Sequence, residues 1–288
     1  MTQLTKPMRD VHAQAEAALR GAAARAGGAI GLLARAGYAA KGVVYCLVGG
    51  LALLAAVGSG GRTTGSRGAL RSLLDQPYGL AILAVVAIGL AAYAVWCFLR
   101  AVLDADRKGS DGRGLAKRAV TFGKGVVYAA LVVAVVGMMR GTGGRGDDAG
   151  VRDWTARLMS FPLGIWLVGL TGVAVVVFGL RQLYCAKAAD VDEPLDLGQM
   201  GVTAHHWARQ FSRFGLAARG VVFAVVGVFL VTAARHENPA EARGVGGALH
   251  ALQERSYGSA LLAAVALGLI AYGCYQFVLV RYRRFDPT

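Results

Sequence analysis

Three cations recur in one setting along the chain. Lys41, Lys124 and Arg219 are each followed by Gly-Val-Val and then an aromatic, Tyr45, Tyr128 or Phe223. Lys and Arg side chains carry only donors and positive charge, so a convergent set of three is chemistry for holding an anion, such as an anionic lipid headgroup. The aromatic four residues on shares the cation's helical face. Each cation also lies a turn or more inside an otherwise apolar run, and a charge at the bilayer centre costs at least about 2.5–3.5 kcal/mol. Two arrangements answer that cost. Each side chain can reach back separately to the headgroups, the commoner fate of a long side chain near a helix end, or the three can meet at one axis and form a site. Lys41, Lys124, Arg219, Tyr45 and Tyr128 are therefore the candidate ligand-binding residues. Arg35, Arg118 and Arg213 form a second row six residues earlier, well off the face of the first, and mark the membrane interface.

Other chemistries lack their residues. No Asp, Glu or His falls inside the apolar runs, so neither the buried carboxylate of a cation-coupled transporter nor a bis-His haem site is expected. His205-His206-Trp207 reads as an interfacial loop rather than a metal site, having no further ligands nearby. Cys46, Cys97, Cys185 and Cys274 show no C-x-x-C spacing and read as small buried hydrophobes. Gly141-Thr-Gly-Gly-Arg-Gly lacks the Lys-Ser/Thr of a phosphate loop and reads as a flexible connector. No catalytic residue, metal ligand or cofactor is assigned, and the chain is expected not to be an enzyme.

The elements that must carry these cations are membrane helices. Of 288 residues, 56% are apolar and 17% charged, against about a quarter charged in a soluble domain. Uncharged windows at residues 76–99, 158–180 and 256–280 each reach the roughly 20 residues that span a bilayer. Three others reach that length only if extended back past a cation, giving residues 36–57, 119–139 and 214–234. Every backbone group in lipid needs an internal partner, so all six are read as helices.

The net charge of +14 is largely a topology signal. Of the 31 Lys and Arg, 21 fall on the side of the two termini and 10 on the opposite side, which places both termini in the cytoplasm. The N-terminal tail, residues 1–34, has no uninterrupted apolar stretch long enough for a secretion signal. Anionic lipids are the expected partner, each surface cation contributing about 1 kcal/mol. A nucleic-acid partner is not expected, because no basic domain with interleaved aromatics stands outside the spans.

The chain repeats itself. Arg35-Ala-Gly-Tyr-Ala-Ala-Lys41-Gly-Val-Val-Tyr45 aligns without gaps to the segments 118–128 and 213–223. The second span of each unit opens on Gly79, Gly164 or Gly258, and fourteen residues later stands Tyr93, Phe178 or Tyr272. The connections repeat too, as Gly68-Ala-Leu-Arg-Ser-Leu-Leu and Gly247-Ala-Leu-His-Ala-Leu-Gln, and read as short amphipathic helices lying on the outer surface with Leu70, Leu73 and Leu74, or Leu249 and Leu252, on one face. Repeat 1 covers residues 35–104, repeat 2 residues 118–187 and repeat 3 residues 213–285. Two spans per unit give all three the same orientation, as in parallel-repeat membrane proteins. The expected fold is all-α integral membrane: six transmembrane helices as three parallel two-helix hairpin repeats around a pseudo-threefold axis.

These motifs resemble an uncharacterised bacterial family of domains of unknown function, in which a pair of transmembrane helices occurs three times per chain. The middle copy departs most, with Val120 in place of the motif glycine and Ala174 in place of the glycine at 89 and 268. The resemblance implies this fold and the bacterial inner membrane, and supplies no activity. Together these readings predict a non-enzymatic structural, lipid-interacting or partner-binding membrane module, with another membrane protein as a possible partner. The alternative is a small anion channel or carrier that uses Lys41, Lys124 and Arg219 as a selectivity ring.

Overall fold

The computed structural model describes residues 6–102, 109, 111–142, 147–188 and 202–282, with side chains in the first helix described from Gly31 onward. Residues 143–146 of the glycine-rich connector lie outside this set. Nine α-helices are described: α1 (Lys6–Ala56), α2 (Ser66–Arg71), α3 (Gly79–Val102), α4 (Gly112–Met139), α5 (Asp147–Met159), α6 (Gly164–Ala188), α7 (Val202–Arg235), α8 (Val245–Gln253) and α9 (Gly258–Tyr282), with a 3-10 turn at Pro239–Glu241. Six stretches, within α1, α3, α4, α6, α7 and α9, are long and apolar enough to cross a membrane, as in a multi-pass membrane protein.

The second span of each repeat starts abruptly, for one local reason. Tyr78, Leu163 and Tyr257 adopt the left-handed region, with φ of 61°, 67° and 63°. In each case the next residue is a glycine packed so closely on a preceding carbonyl that a Cβ would overlap it: Gly79 on Leu73, Gly164 on Leu158 and Gly258 on Gln253. Only glycine permits that approach. The window read as 158–180 therefore begins too early, since Leu158 still belongs to α5 and the span opens at Gly164. At the other end of the fold, α1 runs without a break through residue 34, so the tail and the first span share one helix.

The short helices α2 and α8 do not simply lie on a membrane surface. Leu70 and Leu249 are fully buried and Leu252 nearly so, in the same core as Val44, Val48, Leu83, Leu131, Val135, Val222 and Leu262. Burying such a leucine contributes about 1.5–3 kcal/mol, enough to draw a short helix into the bundle. The three connections also meet one another. The Asp148 carboxylate of repeat 2 accepts from the Gly244 and Gly247 amides at the start of α8, at 2.7 and 3.1 Å, and Gly246 lies against Thr64 and Gly65 of repeat 1.

Closely packed helix pairs are α6 with α7, α9 with α1, α3 with α4, α7 with α9 and α1 with α3. The hairpin mates α4 and α6 are not among them, unlike the mates of repeats 1 and 3. The cause lies in the two substitutions of the middle copy. In repeat 1, Gly37 sits against the backbone of Tyr93 and Gly89 against Ala40. In repeat 3, Gly215 sits against Tyr272 and Gly268 against Ala218. Small residues of this kind let membrane helices approach. Val120 and Ala174 occupy the corresponding glycine positions in repeat 2, and a Cβ placed on Gly123, the counterpart of Ala40 and Ala218, would meet nothing.

Candidate functional site

The glycine after each cation explains how the odd-numbered spans are held. Gly42 packs on Phe277, Gly125 on Phe98 and Gly220 on Leu183, so each repeat's first span receives a side chain from the second span of the repeat before it. The aromatics four residues after each cation follow the same rule. Tyr128 meets Tyr93 edge-on at 4.7 Å between ring centroids, Phe223 meets Phe178 at 5.5 Å, and Tyr45 meets Tyr272 at 4.7 Å. Edge-to-face pairs of this kind contribute about 0.5–1.5 kcal/mol beyond their burial.

These contacts place two of the three cations in the interior. Lys41 is only 7% exposed. Its Nζ lies 3.3 Å from the Tyr93 hydroxyl and sits over three rings, at 5.8 Å from Tyr38, 5.0 Å from Tyr93 and 5.3 Å from Tyr272. The half-buried Arg219 places its guanidinium carbon 4.3 Å from the Tyr272 ring centroid, and 5.3 Å from those of Tyr45 and Phe223. Both cations thus share Tyr272. Each ring contributes about 0.5–2 kcal/mol to a cation on its face, more as water is excluded.

Lys124, by contrast, is exposed. The expected pairing of each cation with the aromatic four residues on holds for Arg219 and Phe223, whereas Tyr128 packs on Tyr93 of the neighbouring repeat.

No Asp or Glu lies in any of the six spans, so none of the chain's own span residues neutralises this charge. The buried polar side chains of α6 and α9 are neutral amides. Gln276 stands one turn beyond Tyr272 on the same face of α9 and is fully buried, and its amide nitrogen and oxygen have no hydrogen-bond partner among the described residues. Gln182, at the same position of α6 relative to Phe178, is 4% exposed and equally unpartnered. Arg219, through its Nε, is a third such residue. Buried polar atoms are nearly always paired, so these three side chains need an explanation. Cys97 holds the equivalent place on α3 and feels the charges of Lys41 and Lys124.

Tyr38, Tyr93, Tyr272, Gln182 and Gln276 were not singled out as ligand-binding candidates from the sequence. The aromatics were visible as a repeat, fourteen residues after the helix-opening glycine. The two glutamines carried a signal of their own, as matching amides four residues later in otherwise apolar helices.

The second row of basic residues has a different duty. Arg118 donates to the Ala101 and Val102 carbonyls at 2.8 and 3.0 Å, and Arg213 donates to the Ala186 carbonyl at 3.0 Å. Each caps the C-terminal carbonyls of the preceding repeat's second span, where unsatisfied acceptors and the negative end of the helix dipole favour a cation. His205 and His206 are exposed on the first turns of α7 rather than in a loop. Among the described residues, no three His, Cys, Asp or Glu side chains gather to hold a metal ion.

Comparison with known proteins bears on the repeats. The family model described as Domain of Unknown Function (DUF1206) matches residues 36–104, 119–189 and 214–283, three times along the chain. The chain is 35% identical over 244 residues to the uncharacterized protein YxxB of Bacillus subtilis (strain 168), covering 85% of this chain and 88% of that one. No solved structure matches it.

Proposed function

We propose, from the premise that this chain belongs to the DUF1206 family, that it is a non-enzymatic inner-membrane module that binds a phosphate-type anion in the interior of its bundle. The observation that carries this reading is the pair Lys41 and Arg219 over the one ring of Tyr272, without a carboxylate in any span. Two like charges held together without a counter-ion, one buried and one half-buried, are costly. An anion removes that cost, and the unpartnered amides of Gln182 and Gln276 and the Arg219 Nε supply neutral and charged donors beside it. Aromatic walls exclude water and strengthen each electrostatic contact.

In this reading the three repeats stand around a pseudo-threefold axis. The support is the recurrence of one aromatic pair and one glycine contact at all three repeat-to-repeat junctions, including the junction from repeat 3 back to repeat 1. The basic end faces the cytoplasm in this reading, and the 21-to-10 division of Lys and Arg supports it. Binding is favoured over conduction because the bundle beyond the cations is filled by Val44, Val48, Leu131, Val135 and Val222 and closed by the meeting of the three connections. An anion pore needs a continuous polar path.

The test is thermal unfolding of delipidated protein in detergent with increasing inorganic phosphate. A ligand of the native state alone stabilises by about 2.7 kcal/mol at a hundred times its Kd, so the wild type should melt at rising temperature. Protein carrying Lys41→Gln and Arg219→Gln should not. No rise in the wild type, or the same rise in the double variant, overturns the reading.

A further inference from the structure

The three repeats present the same helical stripe very differently. Gly37, Ala40, Lys41 and Val44 are buried in repeat 1, and Gly215, Ala218, Arg219 and Val222 are buried or half-buried in repeat 3. Their counterparts Val120, Gly123, Lys124 and Val127 are all exposed. The facing side of α6 answers in kind: Thr171 and Ala174 are exposed, where Val86 and Gly89, or Val265 and Gly268, are buried. One lateral opening therefore separates α4 from α6, with Lys124 at its mouth. One turn beyond Lys124 on α4, Tyr128 packs on Tyr93, the ring over which Lys41 lies.

We infer that this opening is the doorway of the anion site, and that its occupant is an anionic phospholipid of the leaflet at the basic end, which enters sideways between α4 and α6. This rests on the anion-binding reading above and adds the ligand's class and route. The phosphodiester meets Lys124 first and then Arg219 and Lys41, and the acyl chains run deeper along α4, past the exposed Val127. Two features on the page select lipid over a protein occupant. Apart from its cation and Thr171, whose hydroxyl donates to the Leu167 carbonyl, the opening is apolar, which suits chains and a charged head together. A second copy of this chain carries no carboxylate in any span and so could fill the gap without supplying the missing counter-charge. The doorway exists because Val120 and Ala174 replace the glycines that close the other two hairpins. The middle repeat's departures from the motif are then its specialisation.

The test combines native mass spectrometry of lipid retained after incubation with phosphatidylglycerol or phosphatidylcholine vesicles and the phosphate-dependent melting described above. Wild-type protein should retain one phosphatidylglycerol and no phosphatidylcholine. Gly123→Trp puts a ring into the open space and should lower phosphatidylglycerol occupancy at least tenfold, while inorganic phosphate still raises its melting temperature. Val120→Gly with Ala174→Gly, which restores the closing glycines, should do the same and guards against a folding defect in the tryptophan variant. If both variants keep wild-type lipid occupancy, the doorway is overturned and the anion site stands. If the wild type binds neither phosphatidylglycerol nor phosphate, the anion site itself fails. A lipid-free dimer that Gly123→Trp disperses would assign the opening to a second copy and overturn the lipid.

Discussion

Lys41 and Arg219, on the first and third repeats, lie over the same ring, with the Lys41 Nζ 5.3 Å and the Arg219 guanidinium carbon 4.3 Å from the centroid of Tyr272. Tyr272 is therefore both a core residue and the shared partner of two charges that would otherwise repel. Deleting its ring should cost more than an ordinary large-to-small change. Tyr272→Ala is expected to destabilise by at least the about 3–5 kcal/mol of an aromatic core truncation. Tyr272→Phe keeps the ring and should lose no more than about 1.5 kcal/mol. Chemical or thermal unfolding in detergent separates the two.

The closing glycines give a second prediction, in which exchanging glycine and valine has unequal consequences in different repeats. A Cβ on Gly37 would stand 2.7 Å from the Tyr93 Cα and one on Gly215 2.6 Å from the Tyr272 Cβ. Gly37→Val and Gly215→Val should each push a hairpin apart at a cost of about 1–3 kcal/mol or more. Val120→Gly, the reverse change in the middle repeat, removes no close contact of α4 with α6 and should alter stability far less. Melting temperatures of the three variants decide the point.

Gln182 and Gln276 should behave as groups kept for binding rather than stability. Replacing an unpartnered buried amide by an apolar side chain of similar shape is near neutral or stabilising. Gln182→Leu and Gln276→Leu are therefore expected to melt at or above the wild-type temperature while losing part of the phosphate-induced rise. A purely structural role would instead lower stability and leave the rise intact.

The left-handed residues offer a fourth check that is independent of the site. Tyr78, Leu163 and Tyr257 are largely exposed, at 86%, 73% and 90%, so their side chains return little for the backbone strain. A non-glycine residue held there costs on the order of 1 kcal/mol. Leu163→Gly should stabilise by up to that amount, reduced by the added entropy of the unfolded chain.

Much of the fold was legible before any coordinates, because lipid allows few solutions. Apolar windows, the sorting of basic residues and the threefold recurrence of cation-Gly-Val-Val-aromatic sufficed for six helices in three units. The site was legible only in its cations. Its rings come from the second spans, and each second span is packed on the first span of the following repeat. The partners of Tyr45 and Tyr128 are thus Tyr272 and Tyr93, far away along the chain. No local spacing reveals that exchange. Val120 and Ala174 were visible as departures from the motif, but their effect depends on which backbone each missing glycine would have touched, and that is a property of the packed pair. The leucines of α2 and α8 were correctly placed on one face, while the surface they cover proved to be the bundle core.

The most direct measurement is a structure of the protein determined in nanodiscs containing phosphatidylglycerol. The account predicts a bound phosphate group with its oxygens about 2.7–2.9 Å from the Arg219 guanidinium nitrogens, within reach of Lys41 and Lys124, and acyl chains emerging between α4 and α6. Lys41 and Arg219 contacted only by protein and water, with α4 and α6 packed together, would contradict it.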